Sequence, residues 1–318
     1  MPVTVRVSES TRVSLRAIIV IAAAVLLLIP IAFSVAHGAS RLNYGKTELS
    51  EPLPSSLKDL KLALDTSASV EVRTSETADP SVRLTATGPR DRSPALDIST
   101  DRDSSVVSVA DGEKFENTKL VITLPAATSK EMKLDLEGGY GTFDLSGDYR
   151  EIVAKTDGAA VDVNGSAERL QTSTDYGTTS LKGSFGTIEA KTGVGTLDGV
   201  DLTVSDHVDA VTSSGTIDLD FSNEAVPESG IVAKTDEGTI DLRLPRLELA
   251  QENMSEEDSE AAKDFAYRIN ANSSAGDVDL SSELKKYDAS KDDKDAEGKT
   301  VIPITASADA GSITIDQN

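Results

Sequence analysis

The chain of 318 residues has no cysteine and no tryptophan, only two histidines, and six phenylalanines with six tyrosines. Without cysteine there is no disulfide, no thiol nucleophile, no thiolate zinc site and no cysteine-linked lipid anchor. The histidines, His37 and His207, leave no His-containing catalytic cluster beyond the apolar N-terminal run, and His207 reads as a turn residue. So few aromatic rings are poor provision for stacking sugars or bases. Cationic residues are short as well: 31 Lys and Arg face 54 Asp and Glu, a net charge of −23. Such a surface repels phosphate backbones, which excludes nucleic acid, and it suits cations or a basic partner. G-x-S-x-G, phosphate-loop and H-E-x-x-H motifs are all missing. The reading is a non-enzymatic protein without a cofactor, catalytic residues or a defined metal site. A carbohydrate-active enzyme working with carboxylates alone is the remote alternative.

One long apolar run is present. Residues 17–36, "AIIVIAAAVLLLIPIAFSVA", carry no charge over twenty positions, about 30 Å as a helix and enough to span a bilayer. Arg6, Arg12 and Arg16 precede it, so the positive-inside rule places residues 1–16 in the cytoplasm and the rest outside. The expectation is a single-pass cell-membrane protein with an extracytoplasmic β domain. Ser34, Ala36 and Gly38 leave cleavage of the segment open. Residues 37–56 read as a linker.

Beyond the linker the chain rewrites one twelve-residue phrase: "IEAKTGVGTLDG" at Ile188, "VDAVTSSGTIDL" at Val208, "IVAKTDEGTIDL" at Ile231. Aligned on the residue that closes the central turn, the anchors are Gly141, Ala159, Gly177, Gly195, Gly215, Gly238, Gly276 and Gly311. Seven residues earlier stands an aliphatic residue every time, and five earlier mostly a small one. Thr predominates three earlier, and an aliphatic or Thr, or once Phe143, follows two later. Inward residues at every second position define two short strands per copy around a turn. One copy cannot bury its apolar side, so the copies stack, and matching columns favour parallel, in-register neighbours. The expected fold is all-β, a parallel β-solenoid of about eight two-strand rungs over 131–318. One N-terminal transmembrane helix and an irregular β region or cap at 57–130 precede it. An antiparallel meander or sandwich shares the alternation and stays open as the rival.

The recurrent A-x-T-x-x-G-T-[IL]-D-[LV], from about Leu60 to Ile315, resembles the bacterial putative-adhesin family of β-strand-repeat proteins. That family is a domain of unknown function, often behind a single membrane helix. The resemblance implies a surface-located β-repeat fold and supplies no catalytic residues.

Packing does not explain one column. Three residues after the anchors stand Asp144, Asp162, Asp198, Asp218, Asp241 and Asp279, on the outward parity. Carboxylates about 5 Å apart repel by roughly 0.8 kcal/mol in water, so hydration, neighbouring cations or a weak divalent-cation ladder must offset them. The glycine-rich calcium repeat fails at Phe143, and an EF-hand-like run from Asp293 fails at Ile304, where Glu is required.

The spacing between copies grows at 220–230, 243–268 and 281–303, always at the same corner, so the long loops emerge on one edge. Ser255 and Asp258 mark a short helix in the second loop. Phe265, Tyr267 and Tyr287 are the aromatic residues there expected to meet a partner. The last strand, "SITIDQN", has no cap and leaves an edge for self-association. The function expected is an extracytoplasmic adhesin-like or scaffold protein engaging an unknown cell-envelope or surface component. A cation-responsive sensor or regulator is the alternative.

Overall fold

The computed structural model describes residues 43–253, 264–290 and 298–318, with Leu26 alone before them. The chain divides into two compact units, Met1–Lys46 with Thr87–Ser93, and Thr47–Ala86 with Pro94–Asn318. In the smaller unit the Arg90 N–H donates to the Asn43 carbonyl at 2.8 Å, and Arg90 Nε donates to that of Tyr44 at 3.2 Å. The larger unit holds the repeat.

Thirteen strands form one sheet: β1 (Tyr44–Pro52), β2 (Asp59–Leu64), β3 (Ala68–Ser75), β4 (Ser81–Pro89), β5 (Ala95–Asp101), β6 (Ser104–Ala110), β7 (Glu116–Pro125), β8 (Lys133–Phe221), β9 (Gly230–Leu244), β10 (Phe265–Ala275), β11 (Val278–Leu280), β12 (Thr300–Ala310) and β13 (Ile313–Gln317). Two short helices, α1 (Ala126–Ser129) and α2 (Leu247–Asn253), interrupt them.

β8 is paired without a break for 89 residues and carries five copies of the repeat. Its burial alternates as the period-2 pattern requires. Ile152, Leu170, Ile188 and Val208 are buried, as are the small Ala154, Ala190 and Ala210 two residues on. Fully burying one such aliphatic side chain is worth about 1.5–3 kcal/mol, and the core is continuous through the copies. Two inward glycines are filled by neighbours: the Phe143 ring occupies the space beside Gly138, and Leu202 with Leu219 that beside Gly199.

The anchors stack directly. A Cβ on Gly177 would overlap the carbonyl of Ala159, one on Gly195 that of Gly177, and one on Gly215 that of Gly195. Gly195 and Gly215 sit at φ 149°, a region essentially reserved for glycine. A second column turns the other corner at the same spacing, through Gly147, Gly165 and Gly183. Asp201 continues it at φ 55°.

The fold expectation needs correction. The sheet is all-β but mixed in orientation, because β5 runs antiparallel to β6 from Ala95↔Ala110 to Asp101↔Ser104. An all-parallel solenoid behind a transmembrane helix is therefore not what the chain forms. Nor does spatial order follow chain order. β2 and β3 each lie between β8 and a later strand, β6 and β7 respectively. At the other end β12 and β13 lie between β9 and the earlier β10 and β11. The C-terminal strand is thus interior, not the open edge expected for self-association. No helix among the described residues is long and apolar enough to cross a membrane. That finding corrects the expected single-pass anchor, the extracytoplasmic placement drawn from it and membrane attachment through the chain's own helix. Residues 17–36 themselves lie outside the described residues, Leu26 excepted, and so does the helix start at Ser255 and Asp258.

Candidate functional site

The acidic column lies on the outward side of the second strand of each copy. Asp218 pairs in register with Asp241, and Asp144 with Glu71 of β3. Asp241 pairs with Thr314, and Thr314 in turn with Asp279, so a hydroxyl separates those carboxylates. Asp144, Asp162, Asp218 and Asp279 are exposed, whereas Asp198 and Asp241 are half-buried. Burial, followed by the charge of Asp218, raises the pKa of Asp198 above the ordinary carboxylate value. Burial, Asp218 and Asp316 raise that of Asp241, with Arg243 opposing. Arg243 itself is paired with Asp220 at 2.7 Å. At the N-terminal end Lys119 lies 2.8 Å from Glu71 and holds its carboxyl below the usual range, helped by Arg73. Among the described residues no three His, Asp or Glu side chains converge to hold a metal ion. The column is therefore a ladder of single carboxylates, relieved by Ser180, which stands three residues after Gly177 where other copies have Asp, by Thr314 and by flanking cations.

The expected partner aromatics lie elsewhere than foreseen. Phe265 and Tyr267 are in strand β10 and are buried, and the Tyr267 hydroxyl donates to the Pro245 carbonyl at 2.8 Å. Burial raises the pKa of this phenol, which stays protonated. Tyr287 meets Tyr267 edge-to-face, with centroids 5.8 Å apart, and the Lys286 ammonium sits 4.7 Å from its ring centre. Leu284 is fully buried beside them. Phe265 and Tyr267 thus anchor the core instead of a contact, and the described part of the 281–303 loop is docked, not free.

A different site appears on the turn side. A groove of about 570 Å³ runs along the turns that precede Gly141, Ala159 and Gly177. Asp65, Glu137, Asp157 and Asp175 line it against one cation, Lys155, and Tyr140 stands in its wall. Lys61, outside the lining, pairs with Glu137 at 2.8 Å, lowering the pKa of Glu137 and raising its own. Tyr140 and Tyr176 are 61% and 63% exposed, unusual for rings in a chain with so few. Both occupy the position just before an anchor, two copies apart. Gly158 holds that position in between, and a Cβ there would come within 2.6 Å of the Tyr140 ring. Val194, 48% exposed, extends the line into the next copy. The copies thus present a stripe of two phenols and a valine beside an acidic trough. Its signal was in the sequence, as Tyr140, Gly158, Tyr176 and Val194 at 18-residue spacing. The inward columns and the Asp column drew the reading elsewhere.

No protein-family profile matches the chain, and no curated protein matches it. It is similar to several solved structures. A putative adhesin from Bacteroides fragilis is 10% identical with a TM-score of 0.44, over 85% of this chain and 97% of that one. A putative cell adhesion protein from Clostridium sporogenes is 10% identical with a TM-score of 0.30, over 86% and 100%. A putative lipid binding protein from Parabacteroides distasonis is 12% identical with a TM-score of 0.36, over 87% and 97%. The adhesin description that the repeat resembles recurs among these neighbours, while at such identities no residue role passes from them to this chain.

Proposed function

We propose that the protein is a non-enzymatic, adhesin-like binding module whose turn-side groove engages a basic segment of a partner protein. The observation that supports this reading is the pairing of exposed phenols with carboxylates on a stacked β scaffold. Tyr140 offers a ring face to an ammonium or guanidinium group, an interaction of about 0.5–2 kcal/mol. Asp65, Glu137, Asp157 and Asp175 add attraction that steers a cationic partner and weakens with salt. Glu137, Tyr140, Asp157 and Asp175 are all borne by β8, which holds them in place, so several weak contacts add along a matching basic segment. An oligolysine peptide serves as the probe. Calorimetry at low salt is expected to show binding that fades with added salt and drops at least several-fold in a Tyr140→Ser, Asp157→Asn variant. Absence of binding at low salt, or equal affinity of that variant, contradicts the proposal.

A further inference from the structure

We infer that the turn-side groove selects arginine over lysine through Tyr140 and the glycine that seats its ring, Gly158, a selectivity that rests on the reading of the groove as a site for a basic segment. Gly158 has no backbone reason to be glycine. Its φ is not positive, unlike that of the anchors Gly141 and Gly177 on the neighbouring copies. What a side chain there would meet is the Tyr140 ring. A Cβ on Gly158 would lie 2.6 Å from Cε1, 2.7 Å from Cδ1 and 3.8 Å from Cζ of Tyr140, its three nearest atoms. The two closest share one ring edge, so the ring stands edge-on to the Gly158 backbone and its faces are left clear of that rung. Gly139 completes a reciprocal arrangement, because a Cβ there would touch Oδ2 of Asp157 at 3.8 Å. Tyr140 thus reaches forward over Gly158, while Asp157 leans back over Gly139, and both line the groove. Glu137 is engaged by Lys61 at 2.8 Å, so Asp157 is the carboxylate that flanks the ring.

A ring face beside a carboxylate distinguishes the two cations. A guanidinium is planar, weakly hydrated and carries its donors in the plane, so it stacks on a phenol face while its edge donates to a carboxylate. An ammonium is a compact, strongly hydrated point charge with no flat face to lay on the ring. Arginine therefore uses Tyr140 and Asp157 at once, and Gly158 is the positioning residue that lets the ring stand where both are reached. The second exposed phenol is not equivalent. In the copy after Tyr176, Val194 holds the position that Gly158 holds after Tyr140, so Tyr176 has no such seat.

The test is calorimetric titration of the full chain at low salt with oligoarginine and with oligolysine of equal length. The wild type is expected to bind the arginine peptide several-fold tighter. Gly158→Ala adds a Cβ that only the exposed Tyr140 ring must yield to, so it keeps the wild-type melting temperature and brings the ratio of the two affinities towards one. Tyr140→Ser should lower the ratio in the same way, and adding Gly158→Ala to it should change nothing more. Tyr176→Ser should leave the ratio as it was. A ratio that stays at the wild-type value in Gly158→Ala or in Tyr140→Ser overturns the inference. Equal wild-type affinity for the two peptides overturns it as well, while leaving the basic-segment reading in place. Failure of both peptides to bind overturns both.

Discussion

Gly311 stacks on Gly238, not on Gly276, although Gly276 comes between them in the chain. A Cβ on Gly311 would overlap the Gly238 carbonyl oxygen, and one on Gly276 would overlap that of Gly311. Ile304 accordingly meets Ile231 on one side and Ile269 on the other. The reason is in the side chains. The two first strands are alike, with Ile302 and Ile304 buried in β12 and Phe265, Tyr267 and Ile269 buried in β10; the second strands differ, Ile313 and Ile315 of β13 being buried while β11 has Val278 exposed and Leu280 half-buried. The all-isoleucine second strand takes the position between two partners, and the one interrupted by Asp279 pairs on one side.

At Gly177, Gly195, Gly215, Gly238 and Gly311 glycine is required on two grounds, φ between 141° and 149° and direct contact with the neighbouring rung. Gly215→Ala is expected to destabilise the protein by at least about 3 kcal/mol. Ala159→Gly, at the one anchor already built with a Cβ, should cost no more than about 1 kcal/mol. Urea unfolding of both variants checks the contrast.

A run of threonine hydroxyls crosses the core. Thr156 donates to Thr174 at 3.1 Å, while the buried hydroxyls of Thr192, Thr212 and Thr235 meet no acceptor or donor among the described residues. An unpaired buried hydroxyl costs about 1–3 kcal/mol. Thr212→Val keeps the shape and is expected to raise stability by about 1 kcal/mol. A fall in the urea midpoint would contradict this.

Asp198 and Asp241 have raised carboxyl pKa values in the folded chain, first through burial and then through Asp218. A carboxyl that is harder to ionise when folded is destabilising where it is charged in both states, and the penalty disappears as pH falls through the raised pKa. Asp241→Asn should therefore melt higher than wild type at pH 7. The difference should shrink towards zero in acid, below the ordinary carboxylate value. Melting curves across that range read it directly.

Tyr267→Phe removes the donor to the Pro245 carbonyl in a buried site. The expected loss is about 1–2 kcal/mol, with β10 amides exchanging faster. Partner binding at the turn-side groove should not change.

Much of the copy-by-copy pattern was legible in the chain, because a period of two with an 18-residue repeat fixes which side chains turn inward. Ile188, Ala190 and Thr192 are buried as that alternation requires. Rung order was not legible. Identical columns let Gly311 follow Gly276 or Gly238 equally well, and only the comparison of "ITI" with "VDL" distinguishes the two. The antiparallel β5 lies outside the repeat, where no column constrains it. Phe265 and Tyr267 misled for a related reason. They precede the motif of their copy and so read as loop, yet β10 begins at Phe265 and carries both into the core. The tyrosine stripe escaped notice because exposed positions follow no burial rule.

The most direct test uses the absence of native cysteine. Ser307 pairs with Lys234 of β9 and with Asn272 of β10, so β12 stands between those two residues. A Ser307→Cys, Lys234→Cys variant is expected to form an intramolecular disulfide, because adjacent strands lie about 4.8 Å apart. A Lys234→Cys, Asn272→Cys variant, separated by a whole strand, should remain reduced within the monomer. The opposite pattern, a bond between positions 234 and 272 and none between 234 and 307, would contradict an interior C-terminal strand and the rung order built on it.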